Sequence, residues 1–340
     1  MKEDTSAAVW APMEQRKGQR GLSHNLSVYL DLLRLLAAMA VFMGHAGTCM
    51  PWLPSFITSQ ARNAVAVFFV LSGFVISFVV SEKEHSWRAY LTARVSRIYS
   101  VVVLALLVTW VCDTIGTYYN SNRYFELAYY NQDNLMAFLY NVTFLNELWF
   151  QQSIFGTNGT YWSLGFEILY YIFFGLIYFL PVRFKLPAAL LWILVCGPKI
   201  TVYLPLWLIG VIVYHCTIKV YLNVRQLEAA ALMIFSIMAY LAMKKFFPWK
   251  LVSDMNEWQN YKNEIFSFIY FMLIGSSVFI NIISFDRLVG DRKFWNYGFE
   301  RWIRWLAGAS FTLYLAHLPL LILISALLPH IGTQPFLGIV

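Results

Sequence analysis

Charge is the first thing that this sequence has little of. Only 13% of its 340 residues are Asp, Glu, Lys or Arg, whereas 59% are hydrophobic, and the mean hydropathy is +0.58. A soluble domain of this size needs more polar surface than that composition supplies. The composition therefore excludes a soluble protein and predicts an all-α fold, a polytopic transmembrane helical bundle.

Cysteine and motif content exclude several kinds of chemistry. The four cysteines show no CxxC or other metal-ligand spacing, so we expect buried thiols, with a Cys49–Cys112 disulfide as the alternative. The chain has no internal repeat, no P-loop and no dinucleotide fingerprint. We expect neither a metal ion nor a nucleic-acid partner.

Nine apolar runs are candidate membrane spans. The polar segment 1–26 is predicted to be cytoplasmic, and residues 27–340 form one transmembrane domain whose first run is a retained span rather than a signal peptide. The run 135–150 is predicted not to cross, and the shortest candidate ends at Gly197-Pro198. The predicted spans are 27–47, 64–81, 98–117, 161–181, 187–198, 201–218, 226–243, 263–285 and 305–328.

The placement of Lys and Arg predicts the orientation. With the N-terminus inside, 17 basic residues fall on the inner side and 7 on the outer side. Cytoplasmic loops carry the excess of basic residues, so this orientation is favoured. If 135–150 crossed the membrane, the basic segment 286–304 would lie outside. The run 135–150 is therefore excluded from the predicted spans.

Arg34 and His45 are costly polar residues in the first span, LDLLRLLAAMAVFMGHAG. Eleven helical steps of about 100° leave them about 20° from the same direction and about 16 Å apart along the axis. One helix face therefore carries a cation near its inner end and a titratable base near its outer end. The alternatives are that Arg34 snorkels to the inner headgroups and that His45 is hydrogen-bonded filler.

A carboxylate at the outer end of another span is a candidate partner for His45. In YWSLGFE, Ser163 and Glu167 are four residues apart and share a helix face. Glu167 is predicted about 9 Å below the start of its span, a depth comparable to that of His45. It could orient the imidazole for general-base chemistry. The alternative is a protonated structural acid bonded to a neighbouring helix.

Two further sets of polar residues stand out. Arg94 and Arg97, in the inner segment 82–97, are three residues apart and predicted to share one helix face, which suits phosphate binding or, alternatively, lipid headgroups. His317, in SFTLYLAH of the last long span, is either part of a polar pocket or a packing residue.

Together these stretches resemble the membrane acyltransferase 3 family. LDLLRLLAAMAVFMGHAG resembles its arginine–ten–histidine motif, VAVFFVLSGFVIS (65–77) its second span, and ARVSRIYS (93–100) its RxxR-I-Y element. YWSLGFEILYY and SFTLYLAHLPLL resemble its W-S-L-x-x-E and S-L-Y-L-x-H elements. The five motifs stand in the family order from about residue 28 to 325.

The resemblance implies transfer of an acyl group, usually acetyl, from cytoplasmic acyl-CoA to a hydroxyl of an extracytoplasmic or lipid-linked glycan, in the inner cell membrane. It implies His45, Glu167 and Arg34 as catalytic residues and Arg94 and Arg97 as acyl-CoA-binding residues. The donor substrate would be acetyl-CoA or another acyl-CoA, and the acceptor an envelope or exopolysaccharide. The expected pocket residues are Ser72, Trp162, Ser163, Tyr314 and His317.

Two departures from the family pattern are visible. Gly165-Phe166 stand before Glu167 where the family more often has Ser-Val, which could reshape the acceptor pocket. Such domains usually have ten spans, and the tail 334–340 is too short to be another one.

Two mechanistic questions stay open at the level of sequence. His45 could act as a general base or form an acyl-histidine intermediate. A different class of function, a proton-coupled transporter, would also use intramembrane His, Glu and Arg, although the inverted repeats typical of many transporters are not seen. The outer segments 118–134 and 244–262 are the expected places for acceptor contacts.

Overall fold

The computed structural model describes residues 21–50, 52–125, 134–220, 224–247, 252, 255 and 261–328, and within them every regular element is helical. A five-residue π-helical turn, His215–Lys219, follows the ninth α-helix. The α-helices are α1 His24–Cys49, α2 Ser55–Thr58, α3 Ala61–Glu82, α4 Trp87–Tyr119, α5 Ser121–Phe125, α6 Asn134–Val142, α7 Trp162–Phe179, α8 Val182–Cys196, α9 Pro198–Tyr214, α10 Gln226–Phe246, α11 Tyr261–Val289 and α12 Tyr297–Leu327.

Eight helices in the described part of the chain are long and apolar enough to cross a membrane: α1, α3, α4, α7, α9, α10, α11 and α12. The protein is therefore a multi-pass membrane protein, and the predicted all-α transmembrane bundle is confirmed. The ninth predicted span, 187–198, falls in α8, whose 15 residues rise only about 22 Å. That is shorter than the roughly 20 residues of an ordinary span.

The short helix α8 nevertheless returns the chain to the side on which α7 begins. The Trp149 amide, in the segment before α7, donates to the Cys196 carbonyl at the end of α8 over 2.9 Å. The chain turns at Gly197, where φ is +81° and where an added Cβ would lie 2.7 Å from the Trp149 backbone. Glycine alone fits this turn comfortably. We keep the words inner and outer for the sides predicted from charge.

The segment 135–150 contains only the nine-residue helix α6, which is too short to cross, as predicted. The predicted inner loop 82–97 is shorter than expected. Ser86 caps α4 by accepting from the Ala89 amide over 3.3 Å, so the helix starts eleven residues before the predicted span and already contains Arg94 and Arg97. Residues 1–20, the tail 334–340 and parts of the predicted outer segments 118–134 and 244–262 lie outside the described residues.

Packing of the bundle centres on α1, α3 and α12. α1 packs against α12 and α3, while α12 also packs against α4. α3 and α9 cross closely at two glycines. A Cβ added to Gly210 would lie 1.9 Å from the Val70 carbonyl oxygen, and a Cβ added to Gly73 would lie 2.2 Å from the Trp207 carbonyl oxygen. Glycines at such a crossing bring two membrane helices into backbone contact. These contacts hold the polar residues of α1, α3, α7 and α12 in one interior.

Candidate functional site

The outer half of the site is a pair of histidines. His45 Nδ1 lies 2.8 Å from His317 Nε2, and their ring centroids are 5.0 Å apart with the planes inclined by 29°. His317 is 1% exposed. Its Nδ1 lies 2.8 Å from the Tyr314 carbonyl and 3.1 Å from the Leu313 carbonyl. α1 and α12 thus present two imidazoles to each other inside the bundle.

Pro319 leaves one carbonyl of α12 beside this pair without its partner in the helix. A proline inside a helix has no N–H for the carbonyl four residues earlier, which in this helix belongs to Leu315. The buried Asn158 side chain donates to that carbonyl over 2.9 Å instead. Thr160 Oγ1 reaches the Tyr314 carbonyl over 3.4 Å. The sequence signal for this arrangement is the proline two residues after His317.

The first turn of α7 meets the same part of α12. Ser163 Oγ and Tyr314 Oη are 2.6 Å apart, and both residues are buried. Trp162 packs edge-on against Phe69, with ring centroids 6.4 Å apart. The structure therefore brings Ser163, Tyr314 and His317 together, while Trp162 lies on the aromatic side of this contact.

Glu167 bonds residues other than His45. Its carboxylate accepts from Ser72 Oγ over 2.6 Å and from Tyr171 Oη over a shorter contact, and Trp207 Nε1 donates to Ser72 Oγ over 3.2 Å. Because Ser163 is level with Tyr314, one turn inward of His317, Glu167 lies about 6 Å further in than Ser163. It shares electrostatic interactions with Arg34 there. The His45 ring is bonded to that of His317, a pairing that the sequence did not predict.

The inner half of the site is a cluster of three guanidinium groups around Tyr171, which we call the arginine cluster: Arg34, Arg94 and Arg97. Arg94 lies over the Tyr171 ring at 5.9 Å from its centroid. Arg97 interacts electrostatically with both Arg34 and Tyr171. Arg34, predicted as a catalytic residue, thus lies with Arg94 and Arg97, which were predicted to bind acyl-CoA.

Two members of the arginine cluster are paired with acids. Arg94 donates to Glu84 Oε1 over 2.5 Å in a buried ion pair, and Glu84, in the turn before α4, was not predicted as a site residue. Arg94 Nε and Glu84 Oε2 are buried without a hydrogen-bond partner. Arg34 Nη1 lies 3.6 Å from Asp31 Oδ1. Arg97 is an exposed residue of α4.

A ladder of ion pairs leads from the inner end of the bundle to Arg34. His24 lies 2.9 Å from Glu300, Glu300 is 2.9 Å from Arg304, and Arg304 is 3.2 Å from Asp31. Asp31 pairs in turn with Arg34. The ladder joins the first two turns of α1 to the first two turns of α12. Arg34 is therefore held by acids within the bundle rather than only reaching toward the headgroups.

The outer segment between α6 and α7 is fixed by buried polar contacts that the sequence did not single out. Lys199 Nζ donates to Glu147 Oε2 over 2.6 Å and to the Gln151 carbonyl over 2.5 Å. Burial raises the pKa of the Glu147 carboxyl, and the adjacent ammonium opposes that shift. Asp113 accepts from the Thr157 amide and hydroxyl over 2.8 and 2.6 Å. These bonds position Asn158 and Thr160 against α12.

Two surface cavities flank the polar interior. One, of about 320 Å³, lies near the outer end of α4 and is lined by Trp110, Asp113, Thr114, Thr117, Tyr118, Phe155 and Gly156. The other, of about 420 Å³, lies at the inner end and is lined by His24, Asn25, Asp291, Arg292, Lys293, Phe294, Trp295, Tyr297 and Glu300. The inner cavity therefore contains the first residues of the ion-pair ladder.

Cysteine and metal chemistry were predicted to be absent from the site. All four cysteines are thiols rather than disulfides, so the alternative Cys49–Cys112 disulfide is wrong. Cys49, Cys112 and Cys196 are buried, whereas Cys216 is only partly buried. In the part of the chain that the structure describes, no group of three His, Cys, Asp or Glu side chains could hold a metal ion.

The comparisons with known proteins agree with the motifs. No curated protein and no solved structure matches the chain. The family model described as an acyltransferase domain matches residues 27–340, which include every helix from α2 to α12 and nearly all of α1. The chain therefore belongs to the acyltransferase 3 family and is a membrane acyltransferase.

Proposed function

We propose that the protein transfers an acyl group, in the first place acetyl, from cytoplasmic acyl-CoA to a hydroxyl of an extracytoplasmic or lipid-linked glycan. The observation that carries this proposal is the distribution of polar groups along α1. Arg34 belongs to the arginine cluster, and His45, about 16 Å further out, is bonded to a second imidazole. The protein would lie in the inner cell membrane with its N-terminus in the cytoplasm.

The arginine cluster suits the anionic part of the donor. Guanidinium groups bind phosphate oxygens through paired, charge-assisted hydrogen bonds. Arg97 is exposed, while Arg94 and Arg34 are engaged by Glu84 and Asp31. The phosphates of acyl-CoA would bind here from the inner side, with the pantetheine arm extending toward His45.

The histidine pair suits the transfer itself. The hydroxyl proton of the acceptor moves to His45 while the hydroxyl oxygen attacks the thioester carbonyl carbon. The new C–O bond forms, the C–S bond breaks, and the proton passes from the imidazolium to the leaving thiolate. A positioned base of this kind contributes about 10²–10⁴-fold to the rate. Ser72, Glu167 and Tyr171 form the polar wall between the two ends of this path.

The test is acyl transfer by the purified protein in lipid vesicles. Acetyl-CoA labelled in the acetyl group is supplied on one side of the vesicle membrane, and the acceptor is envelope material from host cells that lack the protein. The label transferred to the polymer and the free CoA released are both measured. We expect His45→Ala to lower transfer by about 10²-fold or more. The matched control is His85→Ala, because His85 is an exposed histidine in the turn between α3 and α4.

The outcomes separate the two classes of function. Wild-type protein that consumes no acetyl-CoA but carries protons across the vesicle membrane would favour a transporter. Near-normal transfer by the folded His45→Ala variant would overturn the role of His45 as the base.

A further inference from the structure

The protonation of His317 follows from its surroundings. Its Nδ1 faces two carbonyl oxygens, those of Tyr314 and Leu313, at 2.8 and 3.1 Å. A carbonyl oxygen accepts hydrogen bonds and cannot donate one. Nδ1 of His317 therefore carries a proton, and in the neutral ring Nε2 carries the lone pair.

The protonation of His45 follows from that of His317. His317 Nε2 lies 2.8 Å from His45 Nδ1, and a hydrogen bond needs one donor and one acceptor. Because His317 Nε2 accepts, His45 Nδ1 donates. The neutral ring of His45 then keeps its lone pair on Nε2.

His317 is held in this role from several sides. Its side chain is buried, and its ring lies 6.0 Å from that of Tyr314 and 6.1 Å from that of Phe42. Asn158 donates to the Leu315 carbonyl, two residues before His317, which Pro319 leaves without a backbone partner. The bond direction from His45 to His317 to the carbonyls is thus built into α12.

We propose that His317 is the positioning residue of the reaction: it fixes the tautomer and ring orientation of His45 so that Nε2 of His45 is the basic nitrogen. This inference rests on the proposed function, in which His45 takes the acceptor proton. When that proton arrives on His45 Nε2, Nδ1–H stays bonded to His317, and His317 neither gains nor loses a proton. The arrangement does for the imidazole what a carboxylate does in a hydrolase triad.

The kinetic test replaces the acceptor atom and then restores it. His317→Phe keeps a flat ring but has no atom to accept from His45 Nδ1–H, whereas the Oε1 of His317→Gln can accept that bond. We expect His317→Phe to lower kcat by about 10²-fold or more, with the KM for acetyl-CoA unchanged. His317→Gln should recover at least tenfold of that loss. His85→Phe is the control for the substitution itself.

A spectroscopic test needs no enzymatic activity. Nitrogen NMR of the full-length protein with ¹⁵N-labelled histidine, assigned through His45→Ala and His317→Phe, distinguishes a protonated Nδ1 from a protonated Nε2. We expect both His45 and His317 to be protonated at Nδ1 in the wild type, and His45 to lose that fixed state in His317→Phe. A wild-type His45 protonated at Nε2 would overturn the inference, and this result needs no catalytic activity from either variant.

The two proposals fail in distinguishable ways. If the wild-type protein transfers no acyl group, the proposed function is contradicted. The NMR measurement would still decide the protonation states of His45 and His317. Active wild-type protein together with a His317→Phe variant of equal kcat would overturn the positioning role alone. Equal losses in His317→Phe and His317→Gln would also contradict it, because only a structural role predicts them.

Discussion

At the scale of single residues, the charges of the arginine cluster are unevenly balanced. Glu84 holds Arg94 at 2.5 Å, and Asp31 lies 3.6 Å from Arg34. The ion pairs seen among the described residues include none for Arg97, which is exposed on α4. Buried ion pairs resist separation because each partner would be left as an uncompensated charge. Arg97 is thus the member best able to bind an added phosphate.

Substitution of Arg97 should therefore weaken donor binding more than it slows transfer. We expect Arg97→Gln to raise the KM for acetyl-CoA about tenfold or more, with a smaller change in kcat, because the lost contact is a charge-assisted hydrogen bond. Steady-state kinetics with the acceptor at saturation measure both values. An unchanged KM in Arg97→Gln would contradict the phosphate role.

The matched control for Arg97 is Arg88→Gln. Arg88 is an exposed arginine in the first turn of the same helix, about 13 Å before Arg97 along the helix axis. The substitution therefore removes the same charge from α4 outside the arginine cluster. We expect it to leave the KM for acetyl-CoA unchanged, and an equal rise in both variants would indicate a general effect of surface charge.

At the scale of helices, the crossing of α3 and α9 determines where Ser72 and Trp207 meet. Gly73 follows Ser72 directly, and the Trp207 carbonyl is the atom that an added Cβ on Gly73 would approach to 2.2 Å. The Trp207 indole donates to Ser72, which in turn donates to Glu167. The close crossing therefore also fixes the polar wall of the site.

Filling this crossing should separate the two helices. In Gly210→Ala the new Cβ would lie 1.9 Å from the Val70 carbonyl oxygen, a contact that the backbone must move to relieve. We expect the free energy of unfolding to fall by about 1–3 kcal/mol, as in overpacked cores, and transfer to fall with it. Thermal unfolding in detergent measures the first effect.

The matched control is Gly308→Ala on α12, where an added Cβ has no neighbour within 4 Å. Alanine is the better helix former, so this change should leave the stability equal or raise it by up to about 1 kcal/mol. Equal stability losses in the two variants would contradict the importance of the crossing.

At the scale of the whole molecule, polar groups run through an otherwise apolar bundle from one end toward the other. The inner cavity holds His24 and Glu300, the ion-pair ladder leads to Arg34, and the histidine pair lies further out on the same helix. The cavity also has aromatic side chains beside Arg292 and Lys293. Under the proposed function, the adenosine and its 3′-phosphate would bind in this cavity, while the diphosphate of the donor binds the arginine cluster.

A donor without its nucleotide tests that placement. We expect the double variant Arg292→Gln/Lys293→Gln to raise the KM for acetyl-CoA about tenfold, because two phosphate-binding charges are lost. The KM for acetyl-pantetheine, which has no nucleotide, should not change. Arg183→Gln/Lys185→Gln, near the start of α8, removes the same charge elsewhere on the predicted inner side and serves as the control. Equal effects on both donors would contradict the placement.

The sequence predicted the bundle well because hydrophobic length and the placement of charge decide where helices form. Eight of the nine predicted spans correspond to long apolar helices, and α6 is too short to cross, as expected. The start of α4 was predicted too late, because the cap at Ser86 extends the helix through polar residues that a hydrophobic run does not include.

The site was harder to predict, because contacts between helices depend on how far along the bundle axis each side chain lies. Arg94 and Arg97 were predicted as a phosphate-binding pair from charge and spacing, and the structure adds Arg34 to that cluster. Glu167 was expected beside His45, but α7 begins within the bundle at the level of Tyr314, so the carboxylate lies nearer the arginines. The bond from His45 to His317 joins residues 272 positions apart, and no local pattern in a single sequence encodes that separation.

Placing Arg34 and His45 on one continuous helix also makes α1 a molecular ruler. A rigid helix keeps its two ends at a constant separation while neighbouring helices shift, so the span of about 16 Å does not vary with motions of the bundle. Under the proposed function, donors would be selected by length: a thioester whose phosphates lie much closer to its reactive carbon could occupy the arginines or reach the imidazole, but not both at once.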